Sequence, residues 1–534
     1  MTRTGSSAGD PEDVETQRRP PCMFSPEIDS RRCRSRMLWL CGLLCYAALR
    51  TSSVGAESPS ALPLFRTVDL NKDESSELTL SDGATVRVKL IDVQELRDAL
   101  RSAVREARVT VEVNGQRTTV NSGNYHLPVT FADVQIDCPV TQGYYPNHDP
   151  FEDSWGLEKT ARLRLWPAGT SWFEPGRFVY PAKQRWFATA TQMGNEPSYV
   201  DGGDCPPSGR PIYYHSGNDI GGCEGTVDVV SACDGLVVSA GGKALPQHTN
   251  APFYKPRGDY DYVYVLDAHG WYYRYGHLQS IAPDVQPGKR IKAGEKIGVL
   301  GKEGSSGGWA HLHFDIKARQ PSGQWGIQEA YAFLWEAYRR EYHPDLIAVA
   351  RPHHLAAIGE KILLDGTRSW SSAGKIAQYE WRFTDGTTAK GPQIERRYDK
   401  PGAYSEALKI TDDRGRSAYD FAIVQVLEKG RTNNFPPTIH ASYAPTFGIR
   451  AGDAVTFKVR TFRTTHGSEV WDFGDGTPPV QVQSDGNAQP HAKEGYAVTQ
   501  HRYSKAGHYL VRVERSNERG EKAVARLLVE VAGK

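Results

Sequence analysis

The chain has 534 residues, too many for one hydrophobic core, so roughly two to four domains are expected. Its 64 Lys plus Arg stand against 63 Asp plus Glu, a net charge of +1, which leaves no global basic field for a nucleic-acid partner. The 12 Trp, 26 Tyr and 52 Gly suit β-rich domains with many turns.

Arg31, Arg32, Arg34 and Arg36 precede an apolar run at 37–49, and Ser53-Val54-Gly55-Ala56 offers small residues for a signal peptidase. Residues 1–56 therefore read as an N-terminal extension and signal peptide. The apolar run is short against the roughly 20 residues needed to cross a bilayer. No stable membrane insertion is expected after cleavage, and an uncleaved anchor is the competing reading. The chain is expected in the periplasm, the cell envelope or the medium. Cys138, Cys205, Cys223 and Cys233 remain after cleavage, and an even number in an exported chain predicts at least one disulfide of open connectivity.

Residues 57–196 read as an α+β accessory or regulatory domain. Asp82-Gly83 and Asn114-Gly115 each separate β-favouring runs, which predicts two hairpins. Between them, residues 93–108 place Leu96, Leu100 and Val104 at helical spacing. The segment is either a fold without chemistry or a region that limits access to the site that follows.

That site lies in 197–344. His215 and Asp219 stand in HSGND, His277 in YGHL, and His311 with His313 in AHLHFD. On a β-strand alternate side chains share a face, so the two rings of H-x-H point the same way, and one can bind metal while the other handles a proton. His215 and Asp219 add a nitrogen and an oxygen ligand from one short segment. Three protein ligands leave a fourth position open, as a catalytic zinc requires. An isolated His is usually a surface or satisfied core residue, so the frame around the five residues decides. HLHFD also fits the H-x-H-x-D of metallo-β-lactamase-like enzymes, but there a His follows the Asp, and here Ile316 does.

HSGNDI, EGTVDVVSACDGLVVSAG, YVYVLDAHGWYYRYGHL, VQPGKRIKAGEKIGVLG and AHLHFD follow one another from His215 to about Lys317. In this order they resemble the lysostaphin-type (LytM-type) zinc metalloendopeptidases. Asp315 replaces the common Glu, Ile291 a Val, and residues 243–260 look inserted. The resemblance implies an antiparallel β peptidase core with one Zn²⁺ per chain, held by His215, Asp219 and His313. It also implies that His277 and His311 are the catalytic imidazoles, one assisting deprotonation and the other stabilising the oxyanion, with His311 favoured as the base. Cys223 is the alternative thiolate ligand, though the set is complete without it. The expected substrate is the peptide cross-bridges of bacterial peptidoglycan. A catalytically inert LytM-like protein that binds or regulates amidases is the competing class, and five occupied positions argue against it.

Residues 327–342 read as a helix. YEWRFTDG at 379–386 recurs as EVWDFGDG at 469–476, and YDKPGAYSEALKITDDRG at 398–415 recurs as YSKAGHYLVRVERSNERG at 503–520. The repeats resemble PKD domains, immunoglobulin-like β-sandwiches, at 345–430 and 436–532. Trp381 and Trp471 are expected to fill their cores, and Asp385-Gly386 and Asp475-Gly476 to turn the chain rather than bind calcium. Such repeats act as spacers or as modules that bind a surface polymer or protein. Each is expected to bury its own core, with modest inter-domain contacts, and Phe435-Pro436-Pro437 reads as a stiff linker between the two repeats. The chain is thus expected to be mainly β.

Overall fold

The computed structural model describes residues 61–100, 102–123, 125–147, 154–199, 212–248, 262–428 and 435–533. The signal segment, Cys205 and most of the inserted loop lie outside these residues. The chain is mainly β, with a single α-helix among the described residues.

Both hairpins expected near the start form. Strand Ser75–Thr79 pairs with Thr85–Arg97, and Val104–Val113 with Gln116–Ser122. The second turn takes positive φ at Asn114 and Gly115 (49° and 82°), as a two-residue turn between twisted strands demands. The helix expected over 93–108 is not there. Thr85–Arg97 and Val104–Val113 form an antiparallel ladder in which Arg97 faces Val104. Two β-bulges, after Leu90 and after Leu96, break the period-2 alternation and leave apolar residues at a helix-like spacing. Val104 is fully buried, Leu96 is exposed and Leu100 packs beside Phe435, so the three share no face. The described part of this region is β, not α+β.

Among the described residues, Cys138, Cys223 and Cys233 are buried and free, so no disulfide joins these three, while Cys205 lies outside the described residues. Cys138 lies in the core of the first sheet and Cys233 in the core behind the peptidase sheet. Burial pushes Cys138 up to about 12 and raises both other thiols.

The peptidase sheet contains β1 (Asn218–Gly221), β2 (Gly235–Ala240), β3 (Val263–Leu266), β4 (Tyr272–Gly276) and β5 (His311–Arg319), in the order β1-β5-β4-β3-β2, all antiparallel. Helix α1 (Tyr331–Tyr342) realises most of the helix read at 327–342. Its Phe333, Leu334 and Trp335 join Val263, Tyr273, Phe314 and Ile316 in one apolar core. Phe173, Phe178, Tyr180 and Trp186 belong to the same core, so its packing crosses the boundary expected at 196/197.

The turn between β3 and β4 is tied by buried His269. Its Nδ1 lies 2.7 Å from Asp267 Oδ2 and its Nε2 3.1 Å from Glu174 Oε1. Burial would lower this imidazole, but the two carboxylates raise it to about 9. A pKa raised on folding stabilises fully below the unfolded value of ~6.5 and loses that stabilisation as pH climbs through 9. The melting temperature of the native protein should therefore exceed that of His269→Gln at pH 6, with the gap closing by pH 9.5. A gap independent of pH would remove the charged imidazole from the account.

Trp381 and Trp471 are buried in two separate cores, as expected. Asp385 Oδ1 accepts from Thr387 N (3.0 Å) and Oγ1 (2.6 Å), and Asp475 Oδ1 from Thr477 N (3.1 Å) and Oγ1 (2.6 Å). The remaining oxygens meet Arg396 and His501, so these acids serve turns and ion pairs. Trp471→Ala should cost the last repeat about 3–5 kcal/mol, the scale for a buried Trp, and appear as a lowered thermal transition.

The modest contacts expected of the repeats are not what the structure shows. Gly402 and Ala403 of the first pair in parallel with Lys522 and Ala523 of the second, joining both into one sheet. Phe435 is buried with Leu355 and Leu427 rather than bridging solvent.

Candidate active site

Strand register assembles the site. Across β1 and β5, Asp219 lies opposite His313 and Gly221 opposite His311; across β4 and β5, Gly276 lies opposite His313. His277 follows β4 in a left-handed conformation (φ 62°), which His tolerates better than most residues. Its ring centroid is 4.6 Å from that of His311 and 5.9 Å from that of His313. His215 enters from just before β1. Between them Gly217 (φ 112°) is pressed on β5, where a Cβ would sit 3.0 Å from Asp315 Cβ and 3.1 Å from Phe314 O. That explains the glycine in HSGND. Residues 193–196 hold this segment: Met193 O accepts from Asn218 Nδ2 (2.8 Å), Asn195 Oδ1 from Gly217 N (3.1 Å) and Glu196 O from His215 N (3.3 Å).

All five expected site residues come together, each 6–8 % exposed. His215, Asp219 and His313 form a group able to hold a metal ion. His215 Nε2 is 3.1 Å from His313 Nδ1 and 3.2 Å from Asp219 Oδ1, and His313 Nδ1 is 3.0 Å from Asp219 Oδ1. Ligand atoms around a tetrahedral zinc, at about 2.0–2.1 Å from it, sit about 3.3 Å apart, so the triangle has the right size. The donor chemistry fits as well. His313 Nε2 is 3.0 Å from Asp315 Oδ2, and a carboxylate only accepts, so this nitrogen carries hydrogen and Nδ1 is the one that can ligate. Lone pairs this close repel unless a cation, proton or metal ion, lies among them. His215 Nδ1 is buried without a hydrogen-bond partner, as a ring held from its other nitrogen would be. Cys223 stands outside the group.

Burial would raise the Asp219 carboxyl, but His215 and His311 hold it well below the usual range. Burial would depress His313, but hydrogen bonds to Asp219 and Asp315 raise it. Burial drives His311 down to about 3, with His277 and His313 adding to the fall, so this ring is neutral.

The flanking imidazoles are oriented by main-chain carbonyls. His311 Nδ1 lies 2.7 Å from Trp309 O, and His277 Nδ1 lies 2.7 Å from Glu303 O. A carbonyl only accepts, so each Nδ1 carries hydrogen, and Nε2 is the nitrogen that can take up a proton or, once protonated, donate a hydrogen bond. His311 Nε2 faces Asp219 Oδ1 at 3.4 Å.

Three orienting groups were not assigned from sequence: the carbonyls of Glu303 and Trp309, and Asp315. Burial would raise the Asp315 carboxyl, but Lys317 and His313 hold it at about 2, and Arg274 stands opposite, with Nη1 at 3.6 Å. The signal for Asp315 was its place two residues after His313, on the same strand face.

Fold and site together define an antiparallel β-sheet whose His/His/Asp group can hold a metal ion beside two further imidazoles. Residues 213–324 match Peptidase family M23, and residues 344–426 and 439–529 match the PKD domain. The chain thus carries a segment that matches the M23 peptidases, followed by two that match the PKD domain. Collagenase ColA of Clostridium perfringens is 32% identical over 81 residues, 15% of this chain and 7% of the collagenase. Among solved structures, one described as a glycyl-glycine endopeptidase lytM from Ruminococcus gnavus has 22% identity and a TM-score of 0.20, covering 30% of this chain and 61% of that one. Helicobacter pylori Csd3 has 13% identity and a TM-score of 0.19, covering 50% and 82%. The chain thus spans under a tenth of the collagenase and under two thirds of the lytM protein.

Proposed function

We propose that the protein is an exported, zinc-dependent endopeptidase that hydrolyses peptide cross-bridges of bacterial peptidoglycan. The observation that carries this reading is the convergence of His215 Nε2, Asp219 Oδ1 and His313 Nδ1 beside two imidazoles fixed as Nδ1–H tautomers. Zinc held by the three residues would supply Lewis acidity, activating water near neutral pH and polarising a peptide carbonyl. Asp315 keeps His313 in its ligating tautomer. His311, neutral and with Nε2 towards Asp219, takes the proton as general base. His277 then stabilises the developing oxyanion by donating a hydrogen bond from a protonated ring. The PKD repeats bind a surface polymer or protein and hold the enzyme near the wall.

The test is metal analysis of residues 57–534, followed by digestion of purified peptidoglycan and mass spectrometry of the new termini. About one zinc per chain with new peptide ends supports the reading. Folded, metal-free protein that releases nothing supports the inert binding module. Export is checked separately: protein from the native envelope should begin near Glu57, and an intact Met1 would contradict cleavage. Because Cys138, Cys223 and Cys233 are buried and free, thiol reagents should reach them only after denaturation. Rapid labelling of all three in native protein would contradict their burial.

A further inference from the structure

We infer that the second PKD domain is a working part of the active site, holding loop 302–310 in the position that orients His311 and His277. This rests on the catalytic reading of those two imidazoles. The loop joins strand Lys296–Leu300 to β5, and it carries both orienting carbonyls, Glu303 O for His277 and Trp309 O for His311. A shift of the loop therefore moves both rings, or frees them to change tautomer. Its own sequence gives it little stiffness. Gly304, Gly307 and Gly308 all take positive φ, and Ser305 and Ser306 lie between them.

What fixes the loop comes largely from more than 120 residues away in sequence. Arg460 Nη1 donates to Gly308 O (3.0 Å), Asn487 Nδ2 to Gly307 O (3.0 Å), and Ala310 N–H to the Tyr496 hydroxyl (2.9 Å). The Trp309 ring packs on Phe462 at 4.6 Å and on His440 at 5.1 Å between centroids. Arg460 is itself fully buried and clamped, by Asp485 Oδ1 (2.8 Å) and by the carbonyls of Gln489 and Pro490 (both 2.8 Å). The approach is so close that a Cβ on Gly308 would lie 2.2 Å from Asn487 Oδ1 and 2.8 Å from Pro490 O. On the peptidase side, Thr191 Oγ1 accepts from Trp309 Nε1 (2.8 Å) and the buried Lys302–Glu224 pair anchors the first residue. Every main-chain group from 307 to 310 that meets the second PKD domain is within three residues of the carbonyl that orients His311. Tyr496, Arg460 and Asn487 are thus positioning residues, acting through the loop.

The experiment uses the full chain, a soluble peptide that the native protein cuts, and Tyr496→Phe, which removes one hydroxyl from the contact. Tyr443→Phe is the control, since its hydroxyl bonds Leu528 O in the same domain and also meets Arg185, both away from the loop. Tyr496→Phe should lower kcat about three- to tenfold, the scale of one hydrogen bond, with KM and metal content unchanged. Gly308→Ala should lower it further, and Tyr443→Phe should leave it at the native level. In a background that carries both His311→Ala and His277→Ala the Tyr496→Phe factor should vanish, because the hydroxyl acts through those two rings. A factor that persists there, or an equal loss in the control, makes the domain a brace for the fold alone and overturns the inference. Amide hydrogen exchange over 302–310 reads the loop without turnover: Tyr496→Phe should speed it well beyond Tyr443→Phe, and equal rates overturn the inference. If His311→Ala keeps native turnover, it is the catalytic reading that fails, and exchange alone decides whether the domain sets the loop.

Discussion

His313→Ala should lose its metal and its activity together. His313 Nδ1 is the atom that both other donors meet, at 3.1 and 3.0 Å, and Asp315 stands behind it to fix the tautomer. Removing the ring leaves His215 and Asp219, too few to hold zinc against water, and turnover should fall by at least about 10²–10³-fold. His269→Gln is the comparison, a buried histidine outside the site whose loss should leave the metal in place. Zinc binding must displace imidazole protons, so affinity should fall as pH drops through ~6.5, while Asp219 stays ionised. Metal analysis after dialysis is the measurement. Full zinc content in His313→Ala would sink the ligand assignment.

His311→Ala and His277→Ala should behave in the opposite way, keeping zinc while losing turnover by about 10²-fold or more, the scale of general acid–base groups. Neither ring belongs to the three-residue group, yet their centroids lie 4.6 Å apart on one side of it. The two losses should be non-additive, since both rings serve one transition state. Single-turnover rates on metal-replete protein would show this, and a native rate in either variant removes that residue from the mechanism.

The site was legible because its spacing is local. H-x-H on a strand and His215 with Asp219 four apart each aim two groups from one short segment, and the ladder then needs only to set Asp219 opposite His313. Trp381 and Trp471 were legible for a similar reason: each recurs in a repeated frame. Residues 93–108 were not. Two bulges disturbed the alternation there, and pairing with Gln116–Ser122, rather than local preference, made Val104–Val113 a strand. Among the described cysteines no disulfide forms, because parity says nothing of where thiols lie, and Cys138 and Cys233 sit in different cores. The clasp on loop 302–310 was out of reach altogether, since it joins irregular segments through contacts that leave no periodic trace.

That clasp also carries a sense of time. Ala310 finds the Tyr496 hydroxyl across 186 residues of chain, and Arg460 finds Gly308 across 152. During synthesis the five site residues leave the ribosome well before the groups that meet loop 302–310, so the contact forms only after the second repeat has been made. A chain made only as far as the first repeat can bring its histidines together, but a stop anywhere before Tyr496 leaves loop 302–310 without the hydroxyl that meets Ala310.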